Sequence, residues 1–347
     1  LSRKPVKTFT VVYKEKTHDE AEYARKIAKL YKTEHYELLA EPEDVETLPE
    51  LVYQHEEPYG NSSALVAHMV SKLAKKYVTV VLNGDGGDEN FAGYSRFFRV
   101  QRDYLFDKYL SWGRELAIPT VTFVGNSTKV DFLLKLQKFL YKNRLTFPER
   151  YISYNIYFTN EDKEALYTEK LKTLTGNQNS YNFILDLFEE AGASDIRDCA
   201  LYSDFNSYFP NDFLAKMDIA NMRYSLEGRS PLLDYKFVEM AAKIPFGLKV
   251  KNGQTKYIFK KALEGLVPKE NLYRPKMGFS VPLQQWFSGK LNKYAESVLV
   301  SKRAKKRGIF KTDEVKRMLK SHGKRQDFGP RLWALLTLEL WFRQYFD

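Results

Sequence analysis

Read for its apolar positions, the chain divides near residue 100. Thr8-Phe9-Thr10-Val11-Val12-Tyr13 predicts a strand, and from Asp19 to Lys32 the residues Ala21, Ala24, Ile27, Ala28 and Tyr31 recur at helical spacing. Glu34 to Leu39 predicts a second short strand, which completes a βαβ unit. Pro42 opens another helix running to about His55, with Val45, Leu48, Leu51 and Val52 on one face; proline in the first turn forfeits no intrahelical hydrogen bond. Asn61 or Ser62 can cap a helix on which Leu65, Met69, Leu73 and Tyr77 recur every four residues. The run of β-branched and aliphatic residues Val78-Thr79-Val80-Val81-Leu82 then predicts a buried parallel strand. Alternating strands and helices imply an α/β fold with a parallel, right-handed, doubly wound sheet.

Beyond Asn90 the strand patterns stop. Phe91 to Tyr109, Val130 to Tyr141, Tyr181 to Glu190, Ala193 to Phe209, Asp212 to Tyr224, Lys236 to Lys243 and Lys256 to Leu266 all carry helical spacing, punctuated by Pro148, Pro210, Pro231, Pro245 and Pro268. The aromatic stretch Tyr151 to Phe158 predicts a helical core seam, and Arg331 to Phe346, apolar almost all round, a buried helix. The expected organisation is a parallel-sheet part over residues 1–100 and a mostly helical part over 101–347. No repeat or low-complexity linker marks the boundary.

The strand at Val78 runs into Asn83-Gly84-Asp85-Gly86-Gly87-Asp88-Glu89. Such a loop at the carboxyl end of a parallel strand is where open α/β sheets bind ligands. Its glycines allow positive φ and close approach, while Asp85, Asp88 and Glu89 are hard oxygen donors suited to magnesium. The same letters also describe a solvated tight turn.

Composition narrows the class. The chain has 347 residues, 44% of them hydrophobic, with 24 Tyr and 24 Phe, which is enough for a substantial core. No run of roughly 18 apolar residues suggests a membrane span, so no membrane partner is expected. The single cysteine, Cys199, fits a buried structural thiol and a reducing cytoplasm. A net charge of +11 suits either nucleic acid or a polyanionic substrate. The densest basic run, Lys302 to Arg307, has no interleaved aromatics to stack bases, so it is read as a solvated helix face and no nucleic-acid partner is expected.

Leu82-Asn83-Gly84-Asp85-Gly86-Gly87-Asp88-Glu89-Asn90-Phe91-Ala92-Gly93-Tyr94 closely resembles the signature loop of glutamine-dependent asparagine synthetases, with departures at Asn83, Asn90 and Ala92. Three further segments match in family order: Pro210 to Asp218, Glu227-Gly228-Arg229-Ser230-Pro231-Leu232-Leu233-Asp234, and Arg274 to Leu283. The resemblance covers most of the chain and is weakest between about Gln101 and Ser194.

The resemblance implies the carboxyl-terminal synthetase part of that family, with an adenine nucleotide alpha-hydrolase-like fold, ATP and Mg²⁺. It implies activation of the aspartate side-chain carboxylate as an acyl-adenylate, which ammonia from glutamine then amidates. By motif position Val11, Asn83 and Gly84 would contact ATP, Asp88 would hold the metal, and Asp85 and Lys256 would be catalytic. Lys256 would neutralise pyrophosphate oxygens, and Lys260 stands where the family usually has arginine. Arg274, Lys276 and Gly278 would shape the floor. Ser62 and Ser63 are substrate candidates that a plain helix cap also explains. Arg229 is another candidate, equally suited to bracing the loop through Asp234 or Asp218.

Two family elements do not occur in the sequence: the Ser-Gly-Gly-x-Asp-Ser phosphate loop, and the glutaminase domain with its first-residue cysteine. The chain is therefore expected to be a synthetase cut just after its first strand and helix, receiving ammonia from a glutaminase domain it does not itself carry. A homo-oligomer is compatible with this reading. Two alternatives stand beside it: an amidotransferase for another carboxylate, of polysaccharide-pathway or β-lactam-synthetase type, and a catalytically incompetent remnant serving as a binding module.

Overall fold

A computed structural model describes residues 4–14, 20–176, 178–275, 278, 281–324 and 326–347. The chain opens with β1 (Lys7–Tyr13), α1 (Ala21–Tyr31) and β2 (Glu34–Ala40), and β1 pairs with β2 in parallel, Lys7 opposite Glu34 and Tyr13 opposite Ala40. A short 3₁₀ turn at Pro42–Thr47 precedes α2 (Leu48–His55), and Val45, Leu48, Leu51 and Val52 are buried as their spacing predicts. Next comes α3 (Ser63–Lys75), capped by Asn61, whose Oδ1 accepts the Ser63 N–H at 3.0 Å. Then follow β3 (Val80–Leu82) and α4 (Gly87–Asn90).

The α/β class holds, but a continuous sheet does not form among the described residues. Instead β3 pairs in parallel with β4 (Glu227–Arg229), Val80 opposite Glu227 and Leu82 opposite Arg229. The result is two separate two-stranded parallel sheets. Between them lies a cleft of about 1020 Å³, walled on one side by Pro5 to Phe9 and on the other by residues from Tyr77 to Asp85. β3 is consequently not the buried strand its apolar sequence predicts: Val80 is 45% and Leu82 72% exposed, because the edge that a neighbouring strand would cover faces the cleft. Moreover, β4 comes from the part of the chain read as helical.

The main core gathers α2, α3 and the carboxyl-terminal helix Gly329–Tyr345, in which Leu332, Trp333, Leu335 and Leu336 are buried, as the all-round apolar pattern requires. A second core joins α5 (Arg96–Tyr109) to the helix Ile196–Asn206 around Phe97, Tyr151 and buried Cys199. The predicted aromatic seam is only partly a core element: Tyr151 and Ile152 are buried, whereas Tyr157 is 46% exposed beyond the end of its helix. A helical hairpin, α6 (Arg114–Thr128) and α7 (Asp131–Lys142), extends from α5. The basic run forms the helix Lys302–Arg307 at the surface, with Arg303 and Arg307 paired to Asp347.

Candidate active site

The turn after β3 is shaped by Gly86 at φ +91°, where a Cβ would lie 2.5 Å from the Leu233 side chain, so only glycine allows the chain to enter α4 there. Asn83 ties this turn to β4. Its N–H donates to the Arg229 carbonyl at 3.0 Å, and its Oδ1 accepts from the Ser230 hydroxyl and from the Asp85 N–H. Asn90 Nδ2 donates to the Leu232 carbonyl at 2.8 Å.

Lys256 arrives from the helical part. It sits in the left-handed region (φ 54°) just before the helix Tyr257–Ala262, and its N–H donates to the Phe91 carbonyl. Its Nζ lies 2.9 Å from Asp88 Oδ1. Position 93 closes over the pair, since a Cβ there would stand 2.0 Å from Asp88 Oδ1 and 2.2 Å from Lys256 Cε. Beyond Lys256 opens a second cavity of about 510 Å³, lined among others by Gly93, Lys260, Tyr273 and Arg274. Burial and the neighbouring Lys256 hold the Lys260 ammonium below its usual range, and Arg274 pairs with Glu20. Lys256, Lys260 and Arg274 outnumber Glu20 in the lining of this cavity, while Asn83, Gly84 and Asp85 line the larger cleft, whose wall Glu20 shares.

Asp85 is the perturbed carboxyl of the site. Burial pushes it up to about 6, Lys216 opposes the shift, and Glu89 adds to it; its Oδ2 is buried without a hydrogen-bond partner among the described residues. Glu89 accepts a hydrogen bond from the Tyr94 hydroxyl and is itself raised by burial.

Beneath Asp85 lies a polar network that motif position alone does not assign. Lys216 is fully buried and donates to Ser63 Oγ at 2.9 Å. Ser63 Oγ also donates to Asn61 Oδ1, and Asn61 Nδ2 reaches both carboxylate oxygens of Asp212 at 2.9 Å. The Tyr59 hydroxyl also donates to Asp212. A lysine inside the otherwise apolar run Phe213-Leu214-Ala215-Lys216-Met217 is the available signal: an ammonium enters a core only where oxygens await it.

The other expected residues are placed as follows. Val11 is buried in the main core, and Ser62 is buried beside Ser63. The expected bracing of Arg229 by Asp234 or Asp218 is corrected: Arg229 pairs with Glu227 at 2.7 Å on the surface, because Asp234 is engaged in capping the helix Tyr235–Ala242. Gly278 is described, whereas Lys276 lies outside the described residues.

Among the described residues no three His, Cys, Asp or Glu side chains converge as a metal cage. Asp88, whose Oδ1 lies 2.9 Å from Lys256 Nζ, is a single loop carboxylate, and one protein carboxylate is enough for a magnesium ion that takes its remaining oxygens from phosphate and water.

A model of the asparagine synthase family matches residues 1–343. The chain is 29% identical over 339 residues to "Asparagine synthetase (glutamine-hydrolyzing) 1" of Bacillus subtilis, covering 97% of this chain and 52% of that protein. It is 22% identical over 362 residues to asparagine synthetase (glutamine-hydrolyzing) 3 of the same organism, covering 98% and 52%. A shorter match, 33% over 101 residues, reaches the glutamine-hydrolyzing asparagine synthetase of Gallus gallus, covering 26% of this chain and 18% of that protein. The chain spans about half the length of the two Bacillus relatives.

Proposed function

The chain belongs to the asparagine synthase family, and from that premise we propose that the Asp85, Asp88 and Lys256 site activates a carboxylate with ATP for amidation by ammonia. The observation that carries this reading is the Lys256–Asp88 pair sealed by Gly93, with a predominantly cationic cavity at Lys256 and a larger cleft walled by Asn83, Gly84 and Asp85. The pyrophosphate oxygens lie against Lys256, with Lys260 and Arg274 deepening the positive field as charge develops on the leaving group. Asn83 and Gly84 meet the nucleotide through their main chain, and Val11 contributes to the adenine side from β1. Asp88 would hold a magnesium ion, which when bound would add to the neutralisation of the phosphate oxygens.

The carboxylate activated is the aspartate side chain, and the oxygen that attacks the α-phosphorus is positioned near Asp85. Arg229, Ser62 and Ser63 are its candidate contacts. The ammonia comes from glutamine, hydrolysed by a glutaminase part. In this reading residues 1–100 are the nucleotide-binding part, of adenine nucleotide alpha-hydrolase-like fold, and residues 101–347 supply Lys256 and the Arg229 loop. A different acceptor carboxylate is compatible with the same geometry, because Arg229 is exposed and engaged with Glu227.

The test is aspartate-dependent exchange of labelled pyrophosphate into ATP, measured on the chain joined to the remaining half that its relatives carry. Asp88→Asn should abolish the exchange while leaving the thermal melt unchanged. Wild-type exchange in that variant would remove Asp88 from the site, and exchange supported by another carboxylate but not by aspartate would reassign the substrate.

A further inference from the structure

The outer face of α6 is inverted with respect to an ordinary surface helix. Ile118, Ala117, Val121 and Gly125 turn inward, toward Phe106, Leu136, Leu140 and Leu133. Outward, Trp112 just before the helix, then Leu116, Pro119 and Phe123, fall at i, i+4, i+7 and i+11 and so form one stripe. Trp112 is 81%, Leu116 76% and Phe123 75% exposed, and Phe132 at the start of α7 is 70% exposed. Between Glu115 and Lys129 the helix carries no charge. Three large side chains in one row exceed the scattered apolar exposure that needs no explanation.

The charge around the stripe is predominantly positive. From Lys108 to Arg144 there are seven basic residues and two acidic ones. Lys138 is exposed on α7, as is Lys135, which pairs with Asp131 one turn earlier at 2.6 Å in an exposed ion pair that an anionic surface can compete for, and Lys129 is exposed at the turn between the helices. At the base of the hairpin Lys142 is held down to about 8 by burial and by Arg99, with Arg102 and Arg150 adding to the same effect. A second copy of the hairpin would bring like charges together, whereas an anionic surface complements them.

We propose that the α6–α7 hairpin is a peripheral docking surface for an anionic lipid membrane, with Trp112, Leu116, Pro119 and Phe123 entering the interface and Lys129, Lys135 and Lys138 lying over the headgroups. This goes beyond the amide-forming reading and does not depend on it. It also qualifies the expectation of no membrane partner, which rested on the lack of a spanning segment. No helix among the described residues is long and apolar enough to cross a membrane, and a surface-bound hairpin requires none.

The test is co-sedimentation of the chain with vesicles of phosphatidylcholine alone and of equal phosphatidylcholine and phosphatidylglycerol. Binding should appear with the anionic vesicles only and weaken as salt is raised, each lysine contributing roughly fivefold. It should be accompanied by a blue shift of tryptophan emission that Trp112→Phe removes, since Trp286 and Trp333 are already buried and Trp341 packs against the main core, away from the hairpin. The double variant Leu116→Asp with Phe123→Asp should lose at least tenfold in vesicle affinity with an unchanged melt. Absence of binding to anionic vesicles by the wild-type chain overturns the proposal, as does equal binding by the double variant. So does light scattering that shows a dimer dissolved by that variant, which would make a second copy the occupant.

Discussion

Lys256 Nζ and Asp88 Oδ1 meet at 2.9 Å, and the space they share is the space a side chain at position 93 would fill. The pair joins a loop from the parallel-sheet part to a helix start some 170 residues further along the chain, and its geometry depends on Gly93, whose N–H donates to the Asp88 carbonyl at 2.8 Å and whose missing Cβ leaves both side chains their room.

Gly93→Ala should therefore separate the pair without removing either charge. Overpacking of this kind costs about 1 to 3 kcal/mol, and pyrophosphate exchange should fall at least tenfold in the assembled protein. Gly84→Ala is the control: nothing lies within 4 Å of where its methyl group would stand and it does not need positive φ, so its stability should stay within about 0.5 kcal/mol of wild type. Urea midpoints together with exchange rates check both. A Gly93→Ala chain as active as wild type would show that Lys256 and Asp88 work apart.

Asp85 gives a pH signature. Its folded carboxyl stands at about 6 through burial, above the unfolded value of roughly 3.9. Between those values the folded chain keeps a proton that the unfolded chain has released. Stability therefore declines as pH rises through about 4 to 6 and levels off above. Asp85→Asn removes this cost, so it should be more stable than wild type by about 1 to 3 kcal/mol at pH 8 and converge with it near pH 4. In the assembled protein the same variant should lose adenylate formation while keeping most nucleotide affinity. Denaturant titrations at the two pH values decide the first point; a variant less stable at pH 8 would mean the carboxylate is well paired in the folded chain.

The loop after β3 is legible in the sequence because glycine and acid spacing after an apolar strand is a local signal, and the buried carboxyl-terminal helix because its pattern leaves no polar face. What is illegible depends on partners distant in sequence. The run Pro119-Thr120-Val121-Thr122-Phe123-Val124 has strand-like residues and an internal proline, yet it lies within α6, because packing of Ile118 and Val121 on α7 outweighs propensity. The run at Val78 correctly predicts a parallel strand, but not the open edge that leaves Leu82 exposed, since burial belongs to a neighbouring strand and not to the residue itself. Lys216 can be assigned only once Ser63, 153 positions away, is seen beside it. The bracing expected of Arg229 fails because choosing among Glu227, Asp234 and Asp218 requires knowing which carboxylate already caps a helix.

The last expectation concerns the cleft. β1 and β3 present facing edges across about 1020 Å³, and the sequence contains no Ser-Gly-Gly-x-Asp-Ser loop to place backbone N–H groups on a triphosphate. A charge-assisted hydrogen bond to an anion is worth roughly 1.5 to 3 kcal/mol, so a site short of three of them is weaker by about 4 to 9 kcal/mol. That is enough to carry a sub-millimolar nucleotide site beyond measurable binding. Lys256, Lys260 and Arg274 attract the phosphates but cannot by themselves orient the α-phosphorus toward a carboxylate near Asp85, because the two lysines are point charges that fix distance better than direction and the directional Arg274 fork is engaged with Glu20. Calorimetry on the chain alone should therefore show little or no heat with ATP·Mg²⁺ up to the millimolar range and no amide formed from ammonia. Supplying the remaining half carried by the relatives should bring both. A micromolar ATP affinity for the chain alone would mean that the cleft is already a complete nucleotide pocket, and that its open strand edges, rather than a separate loop, hold the phosphates.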